Sequence, residues 1–230
     1  MIELHQFEPM FGLMNASPFC MKVEVFLRLA GLEYRCVDAL PVRAPKGKLP
    51  VLRDGGREVC DSEAIVAWLQ AAHGARMPPA LAAPESPAQL LLRRTFEEHL
   101  YFAALWFRWV EDEGARHTLG FFRSIPVPLR GLVFGLVRRK MKRDLQGQGL
   151  GRHAPDLIAA KAAADLDAIA ATLGDAPFFG GAEPAAIDAC AYAFLANAIW
   201  VPVETPLKAH ALASAPLVAY CERMDARIGR

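Results

Sequence analysis

The apolar residues of this 230-residue chain change their spacing once, near residue 75, and that change limits the folds open to it. Before it, short alternating stretches interleave with helical ones. "MIELHQ" is extended through Ile2, Leu4 and Gln6. "KVEVFLRLAG" sets Val23, Phe26, Leu27 and Ala30 on one helical face, with Gly31 placed to end the helix. "EYRCVDA" alternates as a strand does, and "LPVLRDGGREVC" predicts a hairpin about Asp54-Gly55-Gly56. "DSEAIVAWLQAAHG" then predicts a capped helix closed by a glycine. The order is β-α-β-loop-β-β-α. A helix joins the early strands and a tight turn the late ones, so the sheet must be mixed.

The prolines of "ARMPPALAAPESP" interrupt every period, and residues 75–87 are expected to form a linker. Beyond it, "QLLLRRTFEEHLYFAALWFRWVEDE", "DLIAAKAAADLDAIAATLG", "AIDACAYAFLANAIW" and "APLVAYCERMDARI" are all helical by spacing. The expected organisation is an α/β unit over residues 1–74 followed by an all-helical unit over 88–230.

Composition removes several classes of function. The formal net charge is +1, which gives no reason to expect nucleic acid as a partner. The N-terminus lacks a basic region followed by an apolar run, so no signal peptide is expected and the location is expected to be cytoplasmic. No apolar run reaches the ~18 residues that a membrane-spanning helix requires. The five cysteines, Cys20, Cys36, Cys60, Cys190 and Cys221, are scattered without a CxxC pair or zinc spacing, which fits reduced thiols. Glu113 and His117 share a helical face, but two ligands rarely make a metal site. No metal is expected.

The stretch "NASPFCMKVEVFLRLAGLEY" poses the central chemical question. Ser17 can cap a helix, with Pro18 at the first helical position, where its missing N–H is harmless. Cys20 would then be a small buried apolar residue. The same helix start also has free N–H groups and a partial positive charge that favour an anion. A serine hydroxyl there can donate a hydrogen bond to an anionic sulfur. Ser17 stands where the attacking thiol of a CxxC pair would stand, with Cys20 in the second place, so disulfide exchange within the chain is not expected.

"SPFCMKVEVFLRLAGLEY", "PKGKLPVL" and "CDSEAIVAWL", in that order, resemble the thioredoxin-like glutathione-binding domain of the glutathione transferase superfamily. "GAEPAAIDACAYAFL" and "PLVAYCERM" are similar to its helical domain. "SPFCMKVEVFLR" and the run from Arg138 to Gly174 most resemble the branch that holds the failed-axon-connections proteins and metaxins. The resemblance implies a thioredoxin-like domain joined to an all-helical one, with glutathione as co-substrate, a hydrophobic electrophile or a peroxide as its partner, and a homodimer. It also implies a site. Ser17, with Asn15 and Cys20 as competitors, would meet the thiol, and Phe19 would lie beside it. Pro50 would be a cis-proline that turns the backbone of Leu49 outward to pair with the cysteinyl part. Asp61 would take the γ-glutamyl amine and Ser62 its carboxylate, while Lys48, with Lys46 as an alternative, would face the glycyl carboxylate. Tyr101, Phe102, Trp106 and Trp109 could wall the second substrate, although aromatics at helical spacing are more often core. Ala185 stands where the superfamily usually has a capping serine or threonine ahead of Asp188, which predicts a loss of about 1 kcal/mol.

The alternative is an adaptor or membrane-associated scaffold without turnover. "IPVPLRGLVFGLVRRKMKR" sets an apolar stretch beside a basic run at 138–143. Its apolar side is expected to pack in the domain and its basic side to face water, with contact to a membrane surface as the less favoured reading.

Overall fold

In the computed structural model, which describes residues 1–230, four short strands make one sheet. They are β1 (Ile2–Gln6), β2 (Tyr34–Asp38), β3 (Val51–Asp54) and β4 (Arg57–Cys60), in the order β2-β1-β3-β4. β1 runs parallel to β2 and antiparallel to β3, and β3 is antiparallel to β4. The mixed sheet follows from the connections. Helix α1 (Pro18–Leu29) carries the chain from β1 to β2, whereas only Gly55 and Gly56 separate β3 from β4. Both glycines have positive φ, 56° and 81°, as the twist-matched two-residue hairpin demands.

Helix α2 (Ser62–His73) completes this unit, and nine further helices follow. They are α3 (Pro79–Ala82), α4 (Pro87–Arg94), α5 (Tyr101–Trp109), α6 (Asp112–Thr118), α7 (Val127–Gln148), α8 (Pro155–Leu173), α9 (Ala186–Ile199), α10 (Pro206–Ala213) and α11 (Ala215–Ile228). The helical stretch expected from Gln89 to Glu113 departs from a single regular helix. A π-helical segment, Thr95–Leu100, joins α4 to α5, and the chain breaks again at Val110–Glu111. The expected linker is tied down as well. Met77 and Leu81 are buried, and the Gln70 side-chain amide donates to the carbonyls of Leu81 and Ala83 at 2.7 and 3.2 Å.

The two halves share one core of 49 buried residues. Its centre is the packing of α1 on α9. Val23, Val25, Phe26 and Leu27 of α1 are fully buried, as are most residues of α9. At about 1.5–3 kcal/mol for each large side chain taken out of water, this seam fixes the start of α1 relative to the helical half.

Candidate functional site

Strand pairing sets the site at one end of the sheet. His5 pairs with Val51, and Val51 with Cys60. The C-terminal end of β1, the start of β3 beside Pro50, and the end of β4 beside Asp61 therefore lie together. The loop from β1 to α1 returns to the same end, because the Asn15 side-chain amide donates to the Phe7 carbonyl at 2.7 Å. Ser17, Leu49, Pro50, Asp61 and Ser62 thus border a single edge. The Leu49–Pro50 peptide bond is cis.

At the start of α1, three candidate groups have different fates. Asn15 is fully buried, and both ends of its amide are engaged, since its Oδ1 accepts from the Ser17 N–H at 2.9 Å. Cys20 is fully buried too, and burial pushes its thiol up to about 12, so it stays neutral near pH 7. Ser17 is half-buried. It caps α1 by accepting a long 3.5 Å bond from the Cys20 N–H, and its hydroxyl also lies within hydrogen-bonding reach of the buried Cys20 thiol. A hydroxyl so placed can donate to an anion at the helix start.

Asp61 precedes α2 with φ 90°, a conformation that L-residues rarely adopt. Its carboxylate caps the helix, accepting from the N–H groups of Glu63 and Ala64 at 3.0 and 3.3 Å, yet the side chain remains exposed. Ser62 is buried, and its hydroxyl lies 3.5 Å from Lys22 Nζ. Lys46 and Lys48 are exposed in the loop before β3. Phe19 is half-buried and its ring meets Tyr101 and Phe194 edge-on, at 4.9 and 5.3 Å, so its side chain faces the helical half.

The aromatics of α5 divide. Trp106 is buried against Phe107 as core. Trp109 is half-buried and stacks with Phe121 and Phe134 at 6.2 and 6.1 Å, while Phe121 meets Phe11 of the β1–α1 loop at 5.3 Å. Beside Pro18, a narrow cavity of about 20 Å³ is lined by Tyr101, Leu105, Arg108, Phe194 and Asn197, enough for about one water.

Sequence analysis missed the charges behind this edge. Lys22, buried within α1, ion-pairs with Glu97 at 2.6 Å. Glu97 also meets Arg93 at 3.0 Å, and Arg93 clasps Glu63 and Glu85. The chain of contacts ties Ser62 and α2 to the helical half. Arg108 donates to the carbonyls of Ala16 and Asn197 at 2.7 and 3.3 Å, and to Asn197 Oδ1 at 3.2 Å. All three acceptors are neutral, and burial brings Arg108 down to about 10. A lysine inside the apolar run "CMKVEVF" was the one available signal. No group of three or more His, Cys, Asp or Glu side chains is placed to hold a metal ion.

Residues 18–114 match the Glutathione S-transferase N-terminal domain, and residues 162–224 match the Glutathione S-transferase C-terminal domain. An isoprene-epoxide–glutathione S-transferase of Rhodococcus sp. (strain AD45) is 30% identical over 97% of this chain and 98% of its own.

The chain belongs to the glutathione S-transferase superfamily.

Relatives in it are not all named as transferases. Failed axon connections of Drosophila melanogaster is 28% identical over 97% of this chain, which spans 57% of that protein. Human metaxin-2 is 20% identical over 93% of this chain and 82% of its own. Among solved structures, a rice glutathione transferase in complex with glutathione superposes with a TM-score of 0.64 at 17% identity, covering 99% of this chain and 88% of that one. The fold is therefore that of a glutathione transferase, a thioredoxin-like unit followed by an all-helical one.

Proposed function

We propose that this chain binds glutathione along the edge from Ser17 to Ser62 and activates its thiol for attack on an electrophile or a peroxide. The observation that carries the reading is the unequal state of the three groups at the start of α1. Asn15 is buried with both ends of its amide engaged and Cys20 is sealed and neutral, whereas Ser17 is half-open and its hydroxyl can turn from the Cys20 thiol to a ligand. Ser17 would hold the thiolate, with Phe19 beside it. Leu49, presented ahead of Pro50, would pair with the cysteinyl backbone. Asp61 would take the γ-glutamyl amine, Ser62 its carboxylate, and Lys48 the glycyl carboxylate. The 30% identity to a glutathione S-transferase along almost the whole chain supports this assignment.

The second substrate would be hydrophobic, against Trp109, Phe121 and Phe134. A homodimer and a cytoplasmic location complete the proposal. All five cysteines are free thiols, which supports a reducing compartment. Sedimentation showing only a 25.2 kDa species at high concentration would refute the dimer.

A second reading, an adaptor without turnover, is favoured by one observation. Two relatives that match almost the whole chain, Failed axon connections and metaxin-2, are not named as transferases. Titration of the purified chain with glutathione in a calorimeter separates the two. Saturable one-site heat is expected, and its absence would leave the adaptor.

A further inference from the structure

Helix α7 has two apolar faces, and the fold uses one. Val133, Phe134, Val137, Met141 and Leu145 turn toward the body of the helical half, with Leu145 buried. On the other side Leu129, Leu132 and Leu136 are 53%, 64% and 58% exposed, contrary to the expectation that the apolar side packs. Their spacing of three and four continues through Arg139 and Arg143. One stripe thus carries three leucines and then two arginines.

The cations of the helix fall into two groups. Arg138 turns inward and donates to the carbonyls of Trp109 and Val110 at 2.9 and 2.8 Å, closing the end of α5. Arg130 likewise donates to the carbonyls of Arg123 and Ile125. Arg139, Lys142 and Arg143 are without an anionic partner, whereas Arg138 also pairs with Asp112 at 2.7 Å and Lys140 with Asp144 at 2.5 Å. Residues 127–148 hold six cations against the single carboxylate of Asp144, in a chain whose net charge is +1. Exposed leucines and unpaired cations on one stripe call for a partner that is apolar within and anionic at its surface. Pairing of two copies through this stripe supplies no anions, because face-to-face α7 helices would lay Arg139 and Arg143 over leucines or over the same arginines. No helix is long and apolar enough to cross a membrane, so the contact lies along a surface.

We infer that α7 docks the protein on an anionic lipid surface, with Leu129, Leu132 and Leu136 at the acyl boundary and Arg139 and Arg143 among the phosphates. The test is co-sedimentation of the full chain with vesicles of pure phosphatidylcholine or of an equal phosphatidylcholine–phosphatidylserine mixture. Binding is expected to the mixed vesicles, to weaken as salt rises, and to be weak on the neutral ones. Leu132→Gln with Leu136→Gln, and separately Arg139→Gln with Arg143→Gln, should each lower the partition coefficient by roughly tenfold or more. These side chains are exposed, so circular dichroism should show both variants folded. Absence of binding to mixed vesicles, equal binding to both kinds, or binding indifferent to the leucine variant would overturn the inference. So would a leucine variant that halves the mass in sedimentation while the wild type ignores vesicles, since the face would then join two copies.

Discussion

Helices α1 and α9 pack on each other, yet they begin in opposite ways. At α9, Ala185 offers no capping side chain, and the fully buried Asp188 carboxylate takes over. It accepts from the N–H groups of Phe179, Gly180 and Ala185 at 2.8, 2.9 and 2.9 Å, and from the Tyr220 hydroxyl at 3.1 Å. Burial raises the pKa of Asp188 while these donors oppose the rise. At α1, Ser17 accepts one long bond, and its half-buried hydroxyl has only the weak Cys20 thiol as a partner to donate to. A helix start whose donors and acceptors are all spent holds a fold together. One with hydrogen-bonding capacity left over, at the open edge of a sheet, is equipped to hold a ligand.

The sharpest way to break the comparison is at its saturated end. Asp188→Ala leaves three backbone N–H groups without their acceptor, while the Tyr220 hydroxyl keeps the carbonyl of residue 188 at 3.1 Å. A loss of about 3 kcal/mol or more is expected. For a chain of this size that lowers Tm by about 6–12 °C. Thermal unfolding followed by circular dichroism reads it, and a change within about 2 °C would show that Asp188 does not organise the 178–185 loop.

Asp61 lies between the two extremes, because it both caps α2 and faces the open edge. Asp61→Ala should cost about 1 kcal/mol of stability as a lost cap. It should also weaken glutathione binding by roughly tenfold or more. Asp61→Asn keeps the capping oxygen and tolerates positive φ while losing the charge. Calorimetry should find its affinity reduced with Tm nearly unchanged, and equal affinity for both variants and the wild type would show that the γ-glutamyl amine lies elsewhere.

Ser17→Ala should retain most glutathione affinity and lower turnover at neutral pH by roughly tenfold, the effect of raising the thiol pKa by about one unit. The sign is set by the thiolate. Its fraction falls when its pKa rises, so the ascending limb of the pH–rate profile moves to higher pH and the rates converge there. Cys20→Ala is expected to have the smallest effect. Its thiol is neutral and sealed, so the profile should not move, and a shift toward higher pH would transfer the role to Cys20.

Much of the fold was legible because local chemistry dictates it. Gly55 and Gly56 after Asp54 allow little but a tight hairpin, and Ser17-Pro18 announces α1 within one residue. The rest depends on partners distant in sequence. Asp188 looked like half of a weakened cap, but its donors include Tyr220, 32 residues on. Lys22, Arg93 and Glu97 looked like ordinary helical charges until α1 and α2 were laid against α4. Apolar spacing of three and four could not distinguish the π-helical Thr95–Leu100 from a regular helix. In α7 it revealed apolar residues without telling which of the two faces packs. At the site, the sequence favoured Ser17 with Asn15 and Cys20 as competitors; their burial sets them apart, and burial is not written in any local motif.

The central claim is that the start of α1, through the Ser17 hydroxyl, stabilises a thiolate. Ultraviolet difference titration of bound glutathione reads its thiol pKa directly, without a second substrate. A pKa below that of free glutathione is expected in the wild type, returning upward by about one unit in Ser17→Ala. An identical pKa in both proteins, with the shift lost in Cys20→Ala or Asn15→Ala instead, would contradict the account.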